Sequence, residues 1–309
     1  DVNALGLLAG RRIIGNVAKR GGLFQYVAVW SAKKVKAHPI GIMLMMSLVT
    51  ALFSALLDNV TTVLLMVPVI LLITEELKLS PYPYLLAAVF MSNIGGTATL
   101  IGDPPNIMIG SAVGLGFNDF LLNLAPIILV IMLVTVPLMA LIWRKQMVAT
   151  PEDRARVMAF NEREAITDVR LLRQSLFVLF LVMTAFILHG VLHLEPATVA
   201  MLGAALLLLL DNFRLDAEAQ SHKVHHAFAE IEWVTLFFFV GLFIAVRGLE
   251  QVGAIDQLAQ WMLQITKGDM TVTAFTILWG SAIASAFVDN IPFVATMIPL
   301  VKSMAPAMG

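Results

Sequence analysis

The sequence predicts an all-α membrane protein. Three observations carry that reading: a surplus of apolar residues, long apolar runs interrupted by polar clusters, and a duplication of the chain. Of 309 residues, 59% are hydrophobic and only 13% are charged, about half the charged share of a soluble domain. Mean hydropathy is +0.88. Lipid is the environment that accommodates such a surplus. The net charge of −1 supplies no basic field for nucleic acid. Cysteine is absent, which excludes disulfides, thiolate metal sites and cysteine nucleophiles.

A helix needs about 20 apolar residues to cross a bilayer core. Residues 121–143, 175–194, 196–210 and 233–249 read as such spans. Between them, residues 144–174 form a polar linker carrying Arg144, Lys145, Arg154, Arg156, Arg163, Arg170 and Arg173. A second linker, 211–230, holds His222, Lys223, His225 and His226 and reads as a solvated loop. His189 and His193 are four residues apart, a spacing that puts both on one face near the end of a span. An interfacial position accounts for that pair.

Other apolar runs are interrupted. Residues 40–57 end at Asp58-Asn59 and resume to Ile73; residues 271–288 end at Asp289-Asn290 and resume to Met304. Residues 84–112 are broken by Ser92-Asn-Ile-Gly-Gly-Thr-Ala-Thr99 and by Gly102-Asp-Pro-Pro-Asn106. Polar, Gly and Pro clusters inside such runs predict discontinuous helices or re-entrant hairpins. A membrane tolerates that backbone only where it is buried in protein or lines a cavity.

At an offset of 231 residues the chain matches itself without a gap. Gly10 meets Gly241, Gly22 meets Gly253, Trp30 meets Trp261, Asp58-Asn59 meets Asp289-Asn290, and Pro68 meets Pro299. The first copy carries Lys19, Arg20, Lys33, Lys34 and Lys36 after its opening helix, whereas the second carries Arg247 and Lys267 in the matching stretch. Basic residues collect on the cytoplasmic side, so the two copies are expected to be inverted. Inverted repeats whose broken helices meet near the midplane are a recurring plan of secondary transporters. The expected organisation has five parts. Residues 1–143 are the first repeat, with an opening helix, an interfacial helix, a hairpin, a broken helix and a closing helix. Residues 144–174 are a cytoplasmic linker, 175–210 two connecting helices, and 211–230 a second cytoplasmic linker. Residues 231–309 are the second repeat, expected to be incomplete at its C-terminal end.

The stretches Ser54-Ala-Leu-Leu-Asp-Asn-Val-Thr-Thr-Val-Leu-Leu-Met-Val-Pro68 and Ser92–Asn106, with Ser285-Ala-Phe-Val-Asp-Asn-Ile-Pro-Phe-Val-Ala-Thr-Met-Ile-Pro299 of the second copy, resemble the ion transporter superfamily. The likeness is to the branch of ArsB-type arsenite permeases, the melanosomal P protein and NhaD-like sodium/proton antiporters. It implies two hairpins and two discontinuous helices around one site that moves in an elevator-like or rocking manner. It also implies an inner (plasma) membrane location and a small inorganic ion substrate coupled to protons or sodium. No cofactor is implied. A soluble ATPase subunit and a homodimer are partners compatible with the resemblance. Arg11-Arg12 departs from the pattern, because a charge at the bilayer centre costs about 2.5–3.5 kcal/mol. That cost places this part of the helix near an interface, unless the local sequence is faulty.

Asp58-Asn59 and Asp289-Asn290 fall at the two hairpin tips. A carboxylate there holds a proton, pairs with a cation, or caps the helix that follows. Thr61, Thr62 and Ser285 add hydroxyls beside the tips. In the broken segment, Gly95 and Gly96 let the backbone unwind, and Asn93, Thr97, Thr99 and Asn106 add polar side chains. Freed carbonyls there suit a hard cation, and exposed helix N-termini suit an anion. Asp103, ahead of two prolines that forbid a continuous helix, is the first candidate for the coupling carboxylate. The favoured activity is proton-coupled efflux of arsenite or antimonite, handled without thiolates as an oxyacid. The alternatives are sodium/proton antiport, an intramembrane aspartyl enzyme using Asp58 and Asp289, and a channel.

Overall fold

The computed structural model describes residues 2–229, 231 and 233–307. Residues 1, 230 and 309, which bound the expected repeats and the second linker, lie outside them. Among the described residues there are α-helices and short 3-10 turns and no strand. The helices of the first part are α1 (Val2–Arg20), α2 (Leu23–Lys34), α3 (Pro39–Leu56), α4 (Asn59–Glu76), α5 (Tyr82–Gly96), α6 (Pro104–Val113), α7 (Phe117–Asn123) and α8 (Ala125–Trp143). After them come α9 (Pro151–Met158), α10 (Val169–Leu192), α11 (Pro196–Asn212) and α12 (Ala217–Ala229). The chain continues through α13 (Trp233–Gln251), α14 (Ala254–Thr266), α15 (Met270–Ala284) and α16 (Asn290–Met304). By length and composition α3, α4, α8, α10 and α13 are long and apolar enough to cross a membrane.

Helix starts recur at the offset seen in the sequence. α1, α2, α3 and α4 begin at residues 2, 23, 39 and 59, and α13 to α16 begin at 233, 254, 270 and 290. Backbone details recur with them. Gly22 and Gly253 precede α2 and α14 with φ of 79° and 75°, and Lys36 and Lys267 follow those helices at 54° and 53°. Only glycine suits Gly22, because a Cβ there would lie 1.9 Å from the Ala165 carbonyl oxygen.

α1 is the central strut. It packs against α6, α10, α11 and α13, and Gly10 lets the α11 backbone approach it at Ala200. α3 packs against α4, α5 and α8. Gly95 makes the α3–α5 contact close: a Cβ there would lie 2.3 Å from the Ala51 carbonyl oxygen and 2.4 Å from its Cα. One apolar cluster joins α2 to α5 with the end of α8; a second joins α1, α6, α7, α10, α11 and α13. Leu129, Leu133, Val134, Phe180 and Val191 on α8 and α10 remain exposed, as side chains facing lipid do.

Three sequence expectations need correction. The run 121–143 is not one helix: Pro126, at the start of α8, makes it divide near Leu124. Residues 211–230 are not a loop, since most of them form α12. That helix is fixed by Asp211, whose carboxylate is nearly buried and pairs with Arg20 at 3.0 Å and Lys223 at 2.9 Å. Nor do His189 and His193 share a helix face. α10 ends at Leu192, and His193 is its left-handed C-cap with φ of 52°. His189 accepts a hydrogen bond from the Phe117 amide at 3.1 Å and lies 3.2 Å from the Leu194 carbonyl oxygen.

The first linker straps the ends of α1, α2 and α4 together. Arg154 donates to the Lys36 carbonyl, Thr167 to the Arg20 carbonyl, and Arg156 to Glu76 and Asp153. The Thr150 hydroxyl, with Arg156 and Lys78, holds the Asp153 carboxyl down to about 2. A carboxyl whose pKa is lowered by folding stabilises the fold above its unfolded value, about 3.9, and loses that contribution as pH falls through the folded value. Pepsin cleavage within residues 150–158 is therefore expected to be slow at about pH 4 and to accelerate toward about pH 2. In Asp153→Asn it should already be fast at about pH 4. Gly95→Ala should lower stability by about 1–3 kcal/mol through overpacking against Ala51, read as an earlier thermal transition in detergent.

Candidate functional site

Three of the polar breaks in the sequence become helix N-termini, and the fourth, Ser92–Thr99, ends α5. α4, α6 and α16 begin just after Asp58, Asp103 and Asp289. Pro104 and Pro105 explain the middle one: proline suits the first turn of a helix, where an N–H has no partner, and cannot continue one. Asp58 is a true cap. Its Oδ1 accepts from the Thr61 amide at 2.6 Å and its Oδ2 from the Thr61 hydroxyl at 2.9 Å. Asp289 accepts from the Ile291 amide at 2.9 Å. Asp103 makes no such bond to its own helix end.

The three helix starts converge on one cavity of about 250 Å³. Asp58, Asn59, Val60, Asp103, Pro104, Asp289, Asn290 and Ile291 line it, together with Leu8, Ala9, Arg11 and Arg12 of α1, Ile231, and Thr235 and Leu236 of α13. A wider, mainly apolar cavity of about 600 Å³ lies between α6, α15 and α16, and Thr97, Asp103, Asn106, Ser285 and Asn290 face it. Asp103 and Asn290 therefore stand between two cavities.

The segment between α5 and α6 is unwound but not unsatisfied. The Asn106 amide donates to the Thr97 carbonyl at 3.0 Å and to the Thr99 carbonyl at 2.8 Å. The Thr99 hydroxyl donates to the Ala55 carbonyl at 2.6 Å and accepts from the Gly102 amide at 3.1 Å. Arg11 donates from Nη1 to the Ile101 carbonyl. Asn59 donates to Asn93 at 3.1 Å, and the Ser54 hydroxyl to the Ser92 carbonyl, which ties the α3–α4 tip to α5. In the second copy the Ser285 hydroxyl donates to Asn290.

Of the residues expected at the site, Asp58, Asn59, Asp103, Asp289 and Asn290 come together around the smaller cavity. Thr97, Asn106 and Ser285 reach the neighbouring one. The others support them. Thr61 bonds Asp58, Asn93 bonds Asn59, and Thr99 braces the break. Gly95 and Gly96 allow close backbone approach, Gly96 to Gly102. The Thr62 hydroxyl is buried without a hydrogen-bond partner.

Arg11 and Arg12 find their partners here: both line the cavity among the carboxylates, and Arg11 is only 5% exposed. Their signal was present in the sequence as charge inside an apolar run, which marks function by default. Ile231, Thr235 and Leu236 complete the lining without any motif that announces them.

Asp58→Asn and Asp58→Ala separate the capping role from the charge. Asn caps nearly as well as Asp, so Asp58→Asn should keep thermal stability, whereas Asp58→Ala should cost about 1 kcal/mol. Equal destabilisation by both in thermal unfolding would show that the charge, not the cap, holds α4.

A family model described as citrate transporter matches residues 1–309. An uncharacterized transporter of Mycobacterium tuberculosis is 46% identical over 309 residues, covering all of this chain and 70% of that protein. A 46 kDa membrane protein of Mycobacterium leprae is 44% identical over 308 residues, with the same coverage. The human P protein is 30% identical over 387 aligned residues, covering all of this chain and 45% of that protein.

Proposed function

This chain belongs to the citrate transporter family, and from the charge around its cavity we propose that it carries a small di- or tricarboxylate anion across the plasma membrane with a proton as coupling ion. One observation carries the reading: three helix N-termini and two arginines line a single small cavity. Helix N-termini present amide N–H groups and partial positive charge to an anion. Guanidinium groups match carboxylates with paired donors. The volume suits a ligand smaller than a drug.

The carboxylates give the coupling. Asp58, Asp103 and Asp289 share the cavity, and like charges close together disfavour further negative charge. An anion therefore enters more readily when positive charge enters with it. Asp103 is the group best suited to take that proton, because it lacks the capping bonds that engage Asp58 and Asp289. Helix breaks in inverted copies would then close alternately around the loaded site.

Arsenite efflux draws less support from the same geometry. Arsenous acid is uncharged at neutral pH and gains little from two guanidinium groups. Sodium/proton antiport would use the carboxylates but give the three helix N-termini no anion to bind.

The test is uptake into proteoliposomes under an imposed proton gradient, with citrate, arsenite and sodium assayed in parallel. Citrate uptake driven by the gradient, reduced by an order of magnitude or more in Asp103→Asn, is the expected result. Arsenite movement without citrate movement would sink the carboxylate reading, as would sodium-evoked loss of the gradient alone.

A further inference from the structure

The unwound segment between α5 and α6 has the makings of a cation site, yet side chains already occupy it. Broken helices of transporters commonly bind sodium through carbonyls freed at the break, helped by a nearby carboxylate. Here the Thr97 and Thr99 carbonyls accept from the Asn106 amide, and the Ile101 carbonyl accepts from Arg11. Arg11 lines the same cavity as Asp58 and Asp103. It is almost wholly buried, its Nε has no hydrogen-bond partner, and its charge lies in the field of both carboxylates. A guanidinium stays charged under all ordinary conditions and is weakly hydrated, so it tolerates burial better than an ammonium.

We propose that Arg11 is a tethered cation that takes the place of an inorganic coupling cation in the half of the site built by α1, α4 and α6. The guanidinium does two things a bound sodium would do: it engages a carbonyl of the break and offsets the negative charge of Asp58 and Asp103. It differs in being permanent, so it cannot be carried across. Exchangeable positive charge in this half is then left to protons on the carboxylates. The device belongs to one copy. At the repeat offset, Arg11 and Arg12 correspond to Leu242 and Phe243, which pack against the apolar core.

This inference rests on the cavity being the transport site, but not on citrate being the substrate, and its test keeps the two apart. Thermal unfolding of the purified protein in detergent is followed in sodium and in potassium, for the wild type, Arg11→Gln and Arg11→Lys. Gln keeps a donor for the Ile101 carbonyl and removes the charge; Lys keeps the charge. A cation that binds only the folded state raises the melting temperature by mass action. Arg11→Gln is expected to gain a sodium-specific rise of about 2 °C or more beyond any shown by the wild type. Arg11→Lys is expected to gain none. The same sodium response in wild type and Arg11→Gln would overturn the proposal. If Arg11→Gln cannot be purified in potassium, recovery of folded protein in sodium alone supports the proposal, and recovery in neither overturns it. Citrate uptake measured on the same preparations reads the substrate separately: failure of citrate to move, with the sodium pattern intact, removes the carboxylate reading and leaves Arg11 in its role.

Discussion

Charge placed inside an apolar bundle must be answered by charge or hydrogen bonds, and most of this structure follows from that constraint. Desolvating an ion costs several kcal/mol even after relaxation. Arg11 sits midway along α1, nearly buried, and its neighbours are the elements that meet the cost: the Ile101 carbonyl and the cavity shared with Asp58 and Asp103. α1 can hold that position because α6, α10, α11 and α13 surround it. Gly10, pressed against Ala200, brings α11 to the same level of the helix as the arginines. The packing that looks purely apolar thus serves to hold a charged strut in register with three helix starts.

The same constraint explains the polar residues that never touch the cavity. An unwound stretch inside a membrane exposes carbonyls and amides that water cannot reach, each costly if left unpaired. Asn106 closes two of them, Thr99 links the break to the end of α3, and Asp58 with Thr61 closes the start of α4. The glycines complete the arrangement sterically: Gly95 against Ala51 and Gly102 against Gly96 allow contacts no side chain would permit. Residues that suggest ion ligands in the sequence are in large part the scaffold that keeps an irregular backbone folded.

How much was legible in the sequence follows from where the physics is local. Breaks at Asp58, Asp103 and Asp289 were legible because proline, glycine and capping residues act on their own few neighbours. The helix starts at 233, 254, 270 and 290 follow those of the first copy for the same reason. Tertiary effects were not legible. That residues around 217–229 form a helix depends on Lys223 meeting Asp211, which Arg20 also engages from α1. The pairing of His189 and His193 failed because a left-handed residue ended α10 one position early. Arg11 and Arg12 were visible as an anomaly, but their place depended on which helices surround α1, and spacing along the chain does not encode that.

The two copies repeat backbone geometry more faithfully than they repeat charge. Their helix starts, left-handed glycines and capping aspartates coincide at one offset, yet the first copy carries an arginine pair where the second carries Leu242 and Phe243. Backbone is shared because a break and its cap are single solutions to a local problem. Charge is free to differ, since two arginines beside three aspartates serve the whole cavity and need to be supplied only once. Placing both on α1 concentrates the positive charge next to Asp58 and Asp103, while Asp289 enters from α16 with its own helix start. A repeated backbone therefore surrounds an asymmetric field, with both arginines supplied by the first copy.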